Sequence, residues 1–153
     1  MKGCFKRWQS LLFVLGLGCF ACSNQINQSV EVPEPDVIIQ DIVSVYDADT
    51  FRAALKGWPD YLGKDVGIRV RGVDAPEIRG QCAKEKRDAK IARDYVRQLL
   101  ASARAVTLVN VETGKYFRLV ADVYLDGKPL ADDLIEHGYA RAYDGGRRMG
   151  WCS

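Results

Sequence analysis

One long helical pattern, set between three strand-like runs before it and two after it, restricts this chain more than any other feature. Ala89, Ala92, Val96, Leu99 and Ala103 recur at three- and four-residue steps, while Lys84, Lys86, Arg87, Lys90, Arg93 and Arg97 lie largely elsewhere around the helix. The spacing predicts an amphipathic helix of roughly five turns, with one face for a core. Glu85, Asp88 and Asp94 are interspersed with the cations, so the polar face reads as solvated rather than as a nucleic-acid stripe.

Ahead of the helix, the run from Val37 to Val45 is rich in β-formers, Asp47-Ala48-Asp49 punctuates it, and Thr50 to Leu55 resumes it. This predicts two antiparallel strands joined by an acidic turn. The connection Lys56 to Asp65 is rich in turn residues, and its Trp58 and Tyr61 are expected to pack that loop onto the body rather than to stack on bases. A third strand carries Ile68, Val70 and Val73 beside arginines and stops at Ala75-Pro76, because proline lacks the N–H a central strand donates. Behind the helix, Ala105 to Val111 and Arg118 to Leu125 give strands four and five, the last ending in the turn signal Asp126-Gly127. Pro129 to His137 reads as a short helix, opened by proline, acidic in its first turn and stopped by Gly138. His137, the sole histidine, lies in that last turn, where it favours the helix dipole, and is assigned no chemistry.

Three strands, a helix and two more strands with short connections predict an α+β, mainly β fold. It is a five-stranded Greek-key barrel of the OB type, with the long helix between strands three and four and a short C-terminal helix. A β-sandwich is the alternative, and the central helix argues against it. No GxGxxG or Walker pattern suggests a nucleotide-binding α/β domain.

The first residues have a different character. Lys2, Lys6 and Arg7 precede an apolar run from Leu11 to Ala21, followed by polar Ser23-Asn24-Gln25, which is the layout of an export signal. The run is short for a bilayer span, which needs about 20 apolar residues. The expected organisation is therefore a signal over residues 1–22, a tether over 23–36 containing Pro33 and Pro35, and one domain over 37–153. Extracellular or periplasmic release follows from the signal. Lipid attachment at Cys22 is the membrane-anchored alternative, although Cys19 stands three residues before it, where lipoprotein signals usually carry leucine. Without residues 1–22 the charge becomes 19 basic against 20 acidic, so any polyanion must be held by local arrangement rather than by net charge. Cys82 and Cys152 are the cysteines left in the domain, and an oxidising compartment makes them candidates for a disulfide that would tie the tail to the segment after Glu77.

Charged residues gather at the expected strand ends: Asp47 and Asp49 after strand one, Arg69, Asp74 and Glu77 on and after strand three, and Arg118 opening strand five. Carboxylates from different strands, with a carbonyl and waters, make a hard-oxygen site suited to calcium rather than zinc, since no histidine or thiolate is near in sequence. Two arginines facing such a metal would grip a phosphodiester, because the guanidinium fork matches two phosphate oxygens.

The motifs Asp47-Ala-Asp49-Thr50, Arg69 five residues before Asp74, Asp74-Ala-Pro-Glu77 and Lys115-Tyr-Phe-Arg118 resemble, in that order, those of the staphylococcal (micrococcal, thermonuclease-type) nuclease family, itself an OB-fold. The resemblance runs from about Ile39 to Tyr143. It implies that Asp49 and Asp74 are side-chain ligands of Ca2+, completed by the carbonyl of Ala75. It further implies that Glu77 orients or deprotonates the attacking water, that Arg69 and Arg118 clamp the transition state, and that Lys115 and Tyr116 contact the terminal phosphate of a bound nucleotide. The implied activity is an exported, calcium-dependent endonuclease acting on DNA and RNA as a monomer, with no organic cofactor, and leaving a 5′-hydroxyl and a 3′-phosphate. The competing reading is a catalytically inactive OB module that binds nucleic acid or protein.

Several positions depart from the family pattern. Ala48 and Phe117 stand where glycine is common, and the loop between strands two and three is longer. No third helix of the family is expected before Ser153, and a Cys82–Cys152 bridge is a candidate substitute for it. One geometric question stays open at this point. Arg69 and Asp74 are an odd number of residues apart, so a regular strand would face them oppositely unless a bulge at Gly72 intervenes, and Arg71 is the rival for the role of Arg69.

Overall fold

The computed structural model describes residues 33–152. The segments expected to form an export signal, a Cys22 anchor site and most of a tether lie outside the described residues. Along β1 (Val37–Asp47), Val37, Ile39, Val45 and Asp47 turn inward while Ile38, Val43 and Tyr46 face solvent, the period-two alternation of a half-buried strand. A two-residue turn, Ala48-Asp49, leads into β2 (Thr50–Leu55), antiparallel to β1. Ala48 is fully buried and needs no left-handed backbone, so alanine serves where the family commonly has glycine.

The turn-rich connection contains one element not expected from sequence, the single helical turn α1 (Asp60–Gly63). Trp58 packs over Gly63, where a side chain would collide with it. Trp58 is itself 45% exposed and its contact is with Gly63 of its own loop, and Tyr61 is 85% exposed, so neither ring is buried against the body as expected.

Strand β3 (Val66–Val70) pairs antiparallel with β2. The chain then turns at Arg71-Gly72 and resumes as the two-residue β4 (Val73–Asp74). Cys82 caps α2 (Ala83–Ser102), its sulfur accepting from the Glu85 N–H at 3.4 Å. Ala89, Ala92, Val96 and Leu100 form the buried stripe of α2, with Leu99 packed at its margin.

Next, β5 (Val106–Thr113) lies antiparallel to β1, and β6 (Arg118–Leu125) lies antiparallel to β5. A parallel pairing of β6 with β3, Arg69 opposite Val120, closes the circuit β1-β2-β3-β6-β5 into a five-stranded barrel. With a long helix between its third and fourth barrel strands this is the OB-fold. Phe51, Ile68, Leu108 and Val123 fill the interior.

Beyond the barrel, Asp126 and Gly127 take φ of 48° and 83° and form the left-handed hairpin turn into β7 (Lys128–Pro129). Helix α3 (Leu130–Glu136) buries Leu130 and Leu134. His137 follows it, its Nδ1 2.9 Å from the Asp133 carbonyl, in a structural role. Strand β8 (Arg141–Ala142) pairs antiparallel with β4, and Cys152 is bonded to Cys82 with the Cα atoms 5.9 Å apart. No helix among the described residues is long and apolar enough to cross a membrane.

Candidate active site

Barrel closure sets the β1–β2 turn beside the end of β3, Thr50 opposite Arg69, and the parallel β3–β6 pairing sets Arg118 opposite Gly67, two residues before Arg69. Gly72, with φ of 79°, makes the β3–β4 corner possible, since this left-handed conformation suits glycine and little else. Because the strand is broken there, its alternation restarts, and Arg69 and Asp74 end on the same side. The Arg69 guanidinium pairs with Asp49 Oδ1 and donates to the Val73 carbonyl at 2.8 Å, bridging the corner from within. Arg71 points elsewhere, to Asp122 at 3.4 Å, Glu112 at 3.3 Å and the carbonyls of Asn110 and Val120. Arg69, rather than Arg71, is therefore the arginine among the carboxylates.

Asp49 is held on every side. Its Oδ1 also accepts from the Thr50 hydroxyl at 2.9 Å, and its Oδ2 accepts from the Ala75 N–H at 2.8 Å, which ties the acidic turn to the segment after β4. Asp49, Asp74 and Arg69 are all nearly inaccessible to solvent. Asp74 lies beside the C-terminal strap: Trp151 Nε1 donates to its Oδ2 at 3.3 Å, and Arg148 Nε lies 3.1 Å from its Oδ1. The Arg148 N–H is not aimed at Oδ1, so this buried oxygen receives no hydrogen bond. Glu77 is half-exposed and paired with Arg148 Nη1 at 2.6 Å.

Two shifted groups report on the electrostatics. Burial first, and then the hydrogen-bonded Glu77 carboxylate, push the Asp47 carboxyl up to about 6, against the hydrogen bond from Ile78 N–H, which lowers it. Arg69 is pulled down to about 10, first by burial and then by the cations Arg148 and Arg118. Three guanidiniums within electrostatic reach of one another form a place where an anion relieves repulsion.

The second half of the site is open. Lys115, Tyr116 and Phe117 form a single 3-10 turn, with Tyr116 and Phe117 at left-handed φ of 60° and 55°. Phe117 thus keeps the backbone conformation that glycine would take without cost, and both rings stand in solvent. Arg118 opens β6 beneath this turn, its Nε donating to the Lys115 carbonyl at 3.4 Å and its guanidinium 5.6 Å from the Tyr116 ring centroid. Gly67 on β3 makes room for it, since a Cβ there would lie 2.9 Å from Arg118 Cγ. Arg69, Lys115, Arg118 and Tyr143 line a common cleft of about 540 Å³.

A profile of the family described as Staphylococcal nuclease homologue matches residues 67–149, more than half of the chain. The chain belongs to the staphylococcal nuclease family. It is 31% identical over 84 residues to a protein of Oryza sativa subsp. japonica named as a probable staphylococcal-like nuclease, which covers 55% of this chain and 16% of that protein. A second rice protein of that name is 26% identical over 88 residues, 56% of this chain and 22% of its own length. An uncharacterized 38.1 kDa protein of Capnoides sempervirens is 29% identical over 84 residues, 55% of this chain and 23% of its own length. The chain thus spans less than a quarter of the length of these relatives. The family match includes Arg69, Asp74, Ala75, Glu77, Lys115, Tyr116 and Arg118 and begins after Asp49.

The donors present suit the metal this nuclease family uses. Asp49 and Asp74 present hard carboxylate oxygens at one corner, and Asp74 Oδ1, which receives no hydrogen bond, has a lone pair to offer a cation. Among the described residues, the cluster Cys82, Glu85 and Cys152 also brings three potential ligand atoms together. Its sulfurs are consumed by the disulfide, so it is not a thiolate site.

Sequence reasoning missed three residues of this site and gave Asp47 no role. Glu85, buried in the first turn of α2, accepts from Gln81 N–H at 2.7 Å and from Glu77 N–H at 3.4 Å, and so fixes the loop that carries Glu77. Arg148 and Trp151 come from the tail. Their available signal was proximity to Cys152, whose bond to Cys82 had to bring its neighbours near Glu77.

Proposed function

We propose that this protein is an exported, calcium-dependent endonuclease that hydrolyses phosphodiester bonds of DNA and RNA with little sequence specificity and leaves 3′-phosphate ends. The observation that carries this reading is the convergence of Arg69 and Arg118 on one cleft beside the corner that holds Asp49, Asp74 and Glu77. Asp49 and Asp74, with the backbone carbonyl of Ala75, would hold the calcium ion, which supplies positive charge beside the phosphate and a bound water near it. Glu77, half-exposed at the corner, takes the proton of the attacking water. Arg69 and Arg118 stabilise the charge that builds on the phosphoryl oxygens as phosphorus becomes five-coordinate. Lys115 and Tyr116 grip the adjoining nucleotide at phosphate and base, which needs no reading of base edges and leaves both nucleic acids as substrates. Export by the N-terminal segment agrees with weak calcium binding by few ligands and with a domain closed by a disulfide.

The test is cleavage of plasmid and of RNA by the purified protein with calcium and with EDTA, alongside Glu77→Gln and Arg118→Ala. Calcium-dependent cleavage that both variants lose supports the reading. Robust cleavage by both variants overturns it, and tight nucleic-acid binding without cleavage by the unaltered protein favours an inactive binding module.

A further inference from the structure

The C-terminal strap is fastened around the catalytic corner more closely than a chain end needs for packing. Tyr143 N–H donates to the Gly72 carbonyl at 2.9 Å, and β8 continues the pairing onto Val73 and Asp74. The Arg141 guanidinium lies 3.8 Å from the Trp151 ring centroid and donates to the Gly150 carbonyl at 3.0 Å, clamping the strap on its outer side. Trp151, buried, donates to Asp74, and Cys152 is bonded to Cys82 at the start of α2. Between these fastenings lies Arg148, the one residue of the strap whose charged group reaches both Asp74 and Glu77.

We propose that Arg148, which lines the Asp74–Glu77 side of the corner rather than the cleft of Arg69 and Arg118, is a positioning residue that holds Glu77 and Asp74 in their working orientation, and that the Cys82–Cys152 bond keeps it there. The inference rests on the nuclease reading of the corner. Glu77 is half-exposed on a loop after the strand end, and its carboxylate is fixed by Arg148, whereas Asp49 has partners on every side. A carboxylate that must meet one water in one direction loses rate when it samples several. Arg148 also stands 3.1 Å from the Asp74 oxygen that receives no hydrogen bond, so it competes with a cation for that oxygen while it orients the carboxylate. Oxidation of the two thiols, in a compartment that permits it, is then a condition for full activity.

Arg148→Ala, Arg148→Lys, Cys152→Ser and the double variant Arg148→Ala/Cys152→Ser test this on the full chain. Expected are a kcat lowered about tenfold or more in Arg148→Ala with KM changed less than about threefold, partial recovery in Arg148→Lys, and no further loss in the double variant beyond the larger single loss. Calorimetric titration with calcium alone is expected to show tighter binding to Arg148→Ala than to the unaltered protein, a gain that a loss of folding does not produce. Unchanged kcat together with unchanged calcium affinity in Arg148→Ala overturns the proposal. If the unaltered protein cleaves nothing, the nuclease reading fails instead, and the calcium titration still decides whether Arg148 competes for Asp74.

Discussion

The β3–β4 corner and the Lys115–Arg118 turn carry the two halves of one cleft, yet they are built in opposite ways. At the corner, Asp49, Arg69 and Asp74 are buried, and Asp49 is ion-paired and hydrogen-bonded from three directions. At the turn, Tyr116 and Phe117 project into solvent on a left-handed backbone, and Arg118 keeps one long hydrogen bond. The difference separates two tasks. A group that must meet developing charge gains from being held before substrate arrives, because orientation is then not lost at the moment of reaction. On the nuclease reading, a group that receives a flexible polymer gains from exposed rings and from cations with few fixed partners.

Arg69→Ala is the harshest way to break this contrast. It leaves Asp49 buried without its cation, so stability is expected to fall by about 3–5 kcal/mol along with loss of cleavage, as read by urea denaturation. A stability change below about 1 kcal/mol would mean that the corner is not over-determined. Arg118→Ala should sit at the other extreme, with cleavage down about a hundredfold and the melting temperature nearly unchanged, because little in the fold depends on its partners. Gly67→Ala sharpens the point without touching a charge. Its new Cβ presses on Arg118 Cγ, and a loss of about tenfold in kcat/KM with the Arg69 pair intact is expected; full activity would show that Arg118 can reach its phosphate from another rotamer.

Two smaller effects test the electrostatics and the strain. Asp47 keeps its proton to about pH 6 in the folded protein but only to about its ordinary 3.8 when unfolded. The native state therefore binds more protons between these values, and this group weakens stability as pH rises from about 4 to 6. Asp47→Asn retains an oxygen for the Ile78 N–H, so its melting temperature in EDTA should exceed that of the unaltered protein by more at pH 7 than at pH 4.5. An equal difference at both would exclude the shift. Phe117→Gly removes a Cβ from left-handed backbone and should stabilise by up to about 1 kcal/mol while weakening substrate binding, as read by KM.

Much of this was legible before any coordinates. The alternation along β1, the period of α2 and the Asp126-Gly127 turn are local patterns, and each became the expected element. Asp49, Arg69, Asp74, Glu77 and Arg118 were singled out because they cluster at strand ends and resemble the motifs of a family whose profile matches from residue 67 onward, and the structure brings Asp49, Arg69 and Asp74 to one corner. The short helix α1 was missed because four residues show no period. Trp58 and Tyr61 were misplaced because an aromatic in a loop carries no sign of which way it faces.

The sequence by itself determined the order of elements, the residue types at each strand end and the pairing available to two cysteines, since these depend on local periodicity and on chemistry that each residue carries alone. Only the tertiary structure decided that Gly72 turns the strand so that Arg69 rather than Arg71 meets Asp49, and that Arg148 closes over Asp74 and Glu77. Those contacts join residues 20 and more than 70 positions apart, so they exist only after the barrel has closed and the disulfide has drawn the tail across its end.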